Sequence, residues 1–154
     1  MSISTFRGDF INVSLHQLDV SKIKAVSGKQ FVVNFDLENS YKLTYVFSVT
    51  SEKRFYLQRV EPYPMVHGEF SSETDVMDFI KRDSAAFRNA RNSRNYPGFV
   101  DTIHNMLALT ENAEQLFIGR NVSKEDLALL QQECGRLGTL IQEIGSRSPA
   151  ILPE

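Results

Sequence analysis

The sequence predicts an α+β fold, in which a three- to four-stranded antiparallel meander is packed on one face by C-terminal helices. Residues 31–61 alternate apolar and polar side chains and are interrupted by short polar connections, which is typical of neighbouring antiparallel strands. Residues 72–147 instead place apolar side chains every three or four positions, the spacing of amphipathic helices. We expect the last two helices to form a helical hairpin, because the connection between them is short.

Length, charge and cysteine content limit the number of domains, the classes of partner and the compartment that we expect. The chain has 154 residues, so we expect a single domain over residues 1–147 and a mobile tail over 148–154. A net charge of −2 gives no overall attraction to nucleic acid or anionic lipid. The single cysteine excludes an internal disulfide and fits a reducing compartment. With no secretory signal and no long apolar run, we expect a cytoplasmic protein that does not contact membranes.

Three strands are predicted from alternation of period two. The first covers residues 31–37, the second 41–50 and the third 54–61, with polar turns at Glu38, Asn39 and Ser40 and at residues 51–53. Pro62 and Pro64 end the third strand, because proline cannot donate to a strand ladder. Residues 65–70 are expected to add a short fourth strand. Before the meander, residues 3–13 fit an edge strand, whereas residues 15–26 have roughly helical spacing.

The two faces of the predicted sheet differ in composition. One carries Phe, Val, Leu and Tyr almost without interruption and has to be covered. The other mixes Val32, Val46 and Tyr56 with polar side chains, and this mixture suits either solvent or a partner.

The first two helices have recognisable ends. Ser72, with Asp75 three positions later, fits a capping pattern that opens a helix running to about Asn92. Pro97 suits the first turn of a second helix, which Gly119 ends. Ser123 repeats the capping pattern and opens the third helix.

The third helix has the most regular pattern in the chain, an apolar seam with successive spacings of 3, 4, 3, 4 and 3 residues. Leu129 and Leu140 widen its apolar face, so both are interface candidates together with the three open-face residues of the sheet. Gly135 and Gly138 lie on the other flank, where we expect the close approach of another backbone. The seam residues are Leu127, Leu130, Cys134, Leu137, Ile141 and Ile144, and Cys134 is expected to be buried there as a small hydrophobe.

Basic residues cluster on and after the first helix. Lys81, Arg88 and Arg91 lie on successive turns, and Arg94 extends them into a polar loop that also offers Tyr96 for stacking. A solvated helix face is the ordinary interpretation, since amphipathic helices carry charge on the outside. An anion site for a phosphate or an acidic peptide is the alternative. The small size of this cluster and the acidic total disfavour nucleic acid.

A few polar residues stand out from their surroundings. Asp83 falls among apolar residues on the helical wheel, where we expect it either to mark a bend or to meet a basic partner at the rim of the core. His67 with Glu69, and Asp101 with His104, form pairs that would share one face of an element. Two ligands do not make a metal site, so neither a metal nor a cofactor is expected.

The chain has no catalytic or phosphate-loop motif, so no catalytic residue is assigned and a non-enzymatic role is favoured. Excess apolar surface points to a protein-interaction or assembly module, with a protein partner or a second copy of the chain covering it. Anion or nucleic-acid binding is the first alternative. A small-molecule binding protein or enzyme, with a cavity between sheet and helices, is the second.

Overall fold

The computed structural model describes residues 10–11, 13–18, 20–37 and 41–151. Residues 10–11 and 13–16 are helical, so the alternative of an edge strand does not hold for this part of 3–13. The predicted turn at 38–40 lies outside the described residues, as does the predicted tail from 152 onward. The main elements are β1 (Gly28–Asp36), β2 (Lys42–Thr50), β3 (Phe55–Glu61), β4 (Met65–Phe70), α1 (Glu73–Ala90), α2 (Tyr96–Gly119) and α3 (Lys124–Arg147).

The four strands form one antiparallel sheet in the order β1-β2-β3-β4, which confirms the predicted meander and the α+β class. β1 and β2 pair without interruption from Gly28 opposite Thr50 to Asp36 opposite Lys42. Gly28 is required at the start of this ladder, because a Cβ there would lie 2.5 Å from the carbonyl oxygen of Val49. Short connections between successive strands leave antiparallel pairing as the available arrangement.

One face of the sheet is covered by α1 and by the beginning of α2. The alternation predicted for the strands puts their aromatic and aliphatic side chains on this face, and α1 packs on β3 and β4. Tyr96 and Val100 close the core at the start of α2. The buried apolar residues are Leu37, Leu43, Tyr45, Phe47, Phe55, Leu57, Tyr63, Val76, Ile80, Phe87, Tyr96 and Val100.

A bulge interrupts the pairing of β3 with β4. Leu57 pairs with Gly68 and Gln58 with Val66, so His67 is an extra residue between them. Gly68 has φ +88°, a left-handed conformation that glycine adopts without steric cost. The bulge reverses the facing of side chains along β4, and His67 therefore turns towards α1.

The helix ends follow the predicted capping patterns. The Ser72 hydroxyl accepts a hydrogen bond from the Asp75 N–H at 3.1 Å, and the Ser123 hydroxyl accepts one from the Asp126 N–H at 3.0 Å. Pro97 lies in the first turn of α2, as expected from its fixed φ. These contacts satisfy N–H groups that have no partner within the helix.

The buried face of α1 is rotated about the helix axis from the face that its apolar residues predict. On a helical wheel of 100° per residue Ser84 falls on the opposite, solvent side, yet it is buried together with Val76, Ile80 and Phe87. Its hydroxyl donates to the Lys81 carbonyl oxygen at 3.1 Å, so the side chain enters the core without an unsatisfied polar group.

Candidate functional site

The C-terminal helices α2 and α3 carry the largest amount of uncovered apolar surface in the described part of the chain. α3 has 24 residues and none of them is buried. In α2, only Tyr96 and Val100 in its first turns are buried. The large apolar side chains that remain exposed on the two helices are Phe99, Leu109, Leu116, Phe117, Ile118, Leu127, Leu129, Leu130, Leu137, Leu140, Ile141 and Ile144.

The two helices are consecutive and run in opposite directions. Each has 24 residues, or about 36 Å at 1.5 Å per residue. The side-chain amide of Asn89, in the last turn of α1, donates to the carbonyl oxygen of Ile151, which follows α3, at 3.2 Å. The chain therefore leaves the sheet along α2 and returns along α3. Close backbone contacts concentrate within the sheet and between α1 and its strands, and few join α2 to α3, so α2 does not bury the seam of α3.

The seam of α3 is consequently open. Cys134 is exposed, so the expectation that it is buried is wrong for the single chain, because nothing in the described residues covers its position. A Cβ added at Gly135 or Gly138 would meet no neighbouring atom within 4 Å, so no other described segment of the chain approaches them. The apolar spacing is that of a packed helix, but no described residue of the chain packs on it.

The predicted interface residues have the exposure that a contact surface needs. On α3, Leu129 is 57% exposed, and Leu140 is exposed as well. On the open sheet face, Val32 pairs with Val46, and Val46 pairs in turn with Gln58. Val32 is 60% exposed, Tyr56 is exposed and Val46 is half-buried. The open face thus mixes exposed apolar groups with polar ones, since Gln58 lies opposite Val46 and Tyr56 lies opposite Ser48.

The predicted anion-binding residues divide into two sets. Lys81 is exposed on α1, and the Arg88 guanidinium lies 5.7 Å from the ring centre of Phe35, at the edge of the sheet. Arg91 and Arg94 instead line a hollow of about 440 Å³ in the loop between α1 and α2. The structure therefore brings two of the four residues together in a concave site.

The hollow lies at the N-terminus of α2, where backbone N–H groups and the helix dipole favour an anion. Asn95 occupies the cap position without a side-chain capping bond, and the first turn of α2 contains no acidic residue. Tyr96 is 2% exposed, and its hydroxyl has no hydrogen-bond partner among the described residues. Burial raises the pKa of Tyr96, which keeps the hydroxyl protonated as a donor at neutral pH. Tyr41, Asn92, Ser93 and Pro97 complete the lining.

The four weaker polar candidates are scattered. The predicted common face for His67 and Glu69 is wrong, because the bulge separates them. The His67 ring stacks 4.4 Å from Phe79 of α1, whereas Glu69 accepts two hydrogen bonds from Arg54 at 2.7 and 2.5 Å. Asp101 is exposed on α2.

His104 lies three residues after Asp101 on α2, so the two share a helix face as predicted, and the His104 ring is 2.8 Å from the Pro62 carbonyl oxygen. A hollow of about 650 Å³ between the β1–β2 end of the sheet and the start of α1 is lined mainly by Phe31, Phe47, Val49 and Met77, and by none of these four polar candidates. A smaller hollow of about 260 Å³ between the sheet, α1 and α2 includes His67 but none of the other three, so neither of these hollows brings two of the candidates together.

A buried polar cluster, which the sequence did not predict as a unit, joins α1 to the sheet. The Asp83 carboxylate accepts hydrogen bonds from the Tyr45 hydroxyl at 2.6 Å and from the Arg59 guanidinium at 2.8 Å. Asp83 thus meets a basic partner, which is one of the two situations expected for it. Arg59 is 3% exposed and lies between the rings of Tyr63 and Phe87, at 4.6 and 4.5 Å.

The electrostatics of this cluster follow from burial. Burial raises the pKa of Tyr45, and the hydrogen bond to the Asp83 carboxylate raises it further. Burial lowers the pKa of His67, and the charge of Arg59 acts in the same direction. These shifts keep the Tyr45 hydroxyl protonated and favour the neutral form of His67 near neutral pH. The arrangement is that of a structural ion pair with its hydrogen-bond partners.

Within the described ranges, no three His, Cys, Asp or Glu side chains form a group that could hold a metal ion. None of the helices described is both long and apolar enough to cross a bilayer.

Comparison of the chain with protein-family models, with curated proteins and with solved structures gave no match.

Proposed function

We propose that this protein is a non-enzymatic interaction or assembly module that acts as a homodimer, with α2, α3 and the open sheet face as its contact surfaces. The observation that carries the proposal is the complete exposure of α3, whose seam has the pattern of a helix packed against another helix. The single cysteine, which has no partner for an internal disulfide, suits a cytoplasmic setting.

The size of the uncovered surface supports a specific contact. One face of a helix about 36 Å long and about 10 Å wide presents roughly 360 Å², so the two helices together present roughly 700 Å². Stable interfaces bury about 800 Å² on each partner, whereas the largest apolar patch on a typical monomer is about 300–600 Å². A second copy of the chain supplies a matching surface of the same size.

The proposal is tested by placing a charge in the seam. Ile141→Glu puts a carboxylate at the proposed contact, where desolvation of the charge opposes association. Gln132→Glu is the matched control, because it adds the same charge on the outer side of the same helix. Light scattering should give a dimer for the wild-type chain and for Gln132→Glu, and a monomer for Ile141→Glu. Equal masses for all three proteins would contradict the proposal.

A second candidate function is anion binding at the hollow between α1 and α2. It is favoured by a separate observation, the convergence of Arg91 and Arg94 at the N-terminus of α2. The ligand class is a phosphate or carboxylate group, which arginine binds through two parallel hydrogen bonds.

The test uses inorganic phosphate followed by NMR chemical shifts of backbone amides. We expect shifts at residues 92–99 of the wild-type protein that disappear in Arg91→Glu/Arg94→Glu. Lys81→Glu/Arg82→Glu is the control, since it changes the net charge equally on the outer side of α1. Shifts that are lost equally in both double variants would indicate a general charge effect and would remove this candidate.

A further inference from the structure

We propose that α3 pairs with α3 of a second copy in antiparallel orientation, about a two-fold axis that passes between Cys134 and Leu137. This inference rests on the proposed homodimer and specifies its contact. The seam spacings of 3, 4, 3, 4 and 3 residues read the same in both directions. Rotation about that axis therefore places Leu127 opposite Ile144 of the second copy, Leu130 opposite Ile141 and Cys134 opposite Leu137.

Charges at the ends of the seam favour this orientation. In the heptad that the seam defines, Asp126 in the first turn and Arg147 in the last turn lie on the same flank. Antiparallel pairing brings Asp126 of one copy beside Arg147 of the other, and the symmetry repeats this contact at the opposite end. Parallel pairing in register would instead place Asp126 at the level of the second copy's Asp126, and Arg147 at the level of the second copy's Arg147. The antiparallel arrangement also sets the negative end of each helix dipole beside a positive end.

The opposite flank of the seam leaves room for close approach. Antiparallel pairing places Gln131 opposite Gly138 of the second copy. In the single chain, the space beside Gly138 and Gly145 is open. A glycine at such a position costs about 1 kcal/mol of helix stability relative to alanine, and close packing of a second backbone offsets that cost. The apolar seam, the paired charges and the open flank thus agree on one arrangement.

The native Cys134 provides the first measurement. It lies 1.5 residues from the proposed axis, so the two copies of Cys134 are offset by about 4.5 Å along helices that are about 8–10 Å apart. A short bis-maleimide should link two wild-type chains into a covalent dimer. Cys134→Ser should lose this product.

Orientation is tested in the Cys134→Ser background with two single-cysteine variants, Leu127→Cys and Ile144→Cys. One carries a tag, so that mixed dimers can be distinguished by mass. Within one helix the two positions are about 25 Å apart, as are two copies of the same position in an antiparallel pair. After subunit exchange, the mixture should give cross-linked mixed dimers, and each variant alone should not. Circular dichroism of each variant checks that the helices are retained.

Every outcome bears on the pairing. Cross-linking of each variant with itself would show parallel pairing and overturn the inference. A dimer by light scattering that cross-links at none of the three positions would also overturn it, while leaving the proposed homodimer intact. A monomer by light scattering would remove both.

Discussion

Replacing Asp83 by alanine is expected to destabilise the folded chain far more than its position on a helix surface would indicate. The change removes the acceptor of two buried donors, the Arg59 guanidinium and the Tyr45 hydroxyl. Breaking a buried ion pair by removing one partner costs about 3–5 kcal/mol, because the remaining charge is left uncompensated. The Asp83 side chain is 20% exposed, so water reaches part of the site and the lower end of the range applies.

Alanine recovers about 0.5 kcal/mol through its helix propensity, so the expected loss is about 2.5 kcal/mol of unfolding free energy. Urea unfolding at a fixed protein concentration measures it. With a slope of about 2 kcal/mol/M, the midpoint should fall by about 1.2 M while the slope stays constant. Arg59→Met/Asp83→Leu should recover part of the loss, because apolar side chains of similar size replace buried pairs well, while the Tyr45 hydroxyl still lacks its acceptor.

Glu69→Ala is the control for this prediction. It breaks the pair with Arg54, in which the two side chains are 50% and 41% exposed, so solvent screens the pair and its loss should move the urea midpoint much less. If Asp83→Ala costs no more than Glu69→Ala, the buried cluster does not stabilise the fold.

Three further predictions concern pH, helix caps and the sheet edge. Burial lowers the pKa of His67 in the folded chain below its unfolded value of about 6.5, so protonation favours the unfolded chain. The unfolding free energy should therefore decrease as the pH is lowered below about 6.5. His67→Phe should weaken this decline between pH 7 and 5 in urea titrations, and an unchanged profile would contradict it. Ser72→Ala should lower the unfolding free energy measured in urea by about 1 kcal/mol. Ser123→Ala, made in the monomeric Ile141→Glu variant, should lower the helicity measured by circular dichroism. It should not move the urea midpoint, because no residue of α3 is buried. Equal midpoint shifts for the two caps would refute this contrast. Gly28→Ala should cost about 1–3 kcal/mol in thermal unfolding, because its Cβ would meet the Val49 oxygen at 2.5 Å, and an unchanged midpoint would contradict the close approach.

Local patterns in the sequence predicted the elements well. Alternation over residues 31–61 predicted three strands, and the capping serines at 72 and 123 predicted the starts of two helices. These features depend on neighbours within a few residues, so they can be read without knowledge of the fold. The short polar connections between strands predicted their antiparallel order for the same reason.

Features that depend on distant contacts were missed. The bulge at His67 shifts side chains to the other face of β4, and strict alternation does not signal it. The ion pair of Arg59 with Asp83 could have been predicted from the sequence, because each residue occupies an otherwise apolar face of its element and their charges are opposite. Burial of Cys134 was overpredicted, since the apolar spacing within one helix does not specify what packs against that helix.

The molar mass of the unmodified chain by sedimentation equilibrium, over a wide range of concentrations, tests the central claim most directly. Self-association through the open helices predicts a mass of twice the 17.5 kDa of one chain. A single species of 17.5 kDa at every concentration would contradict it.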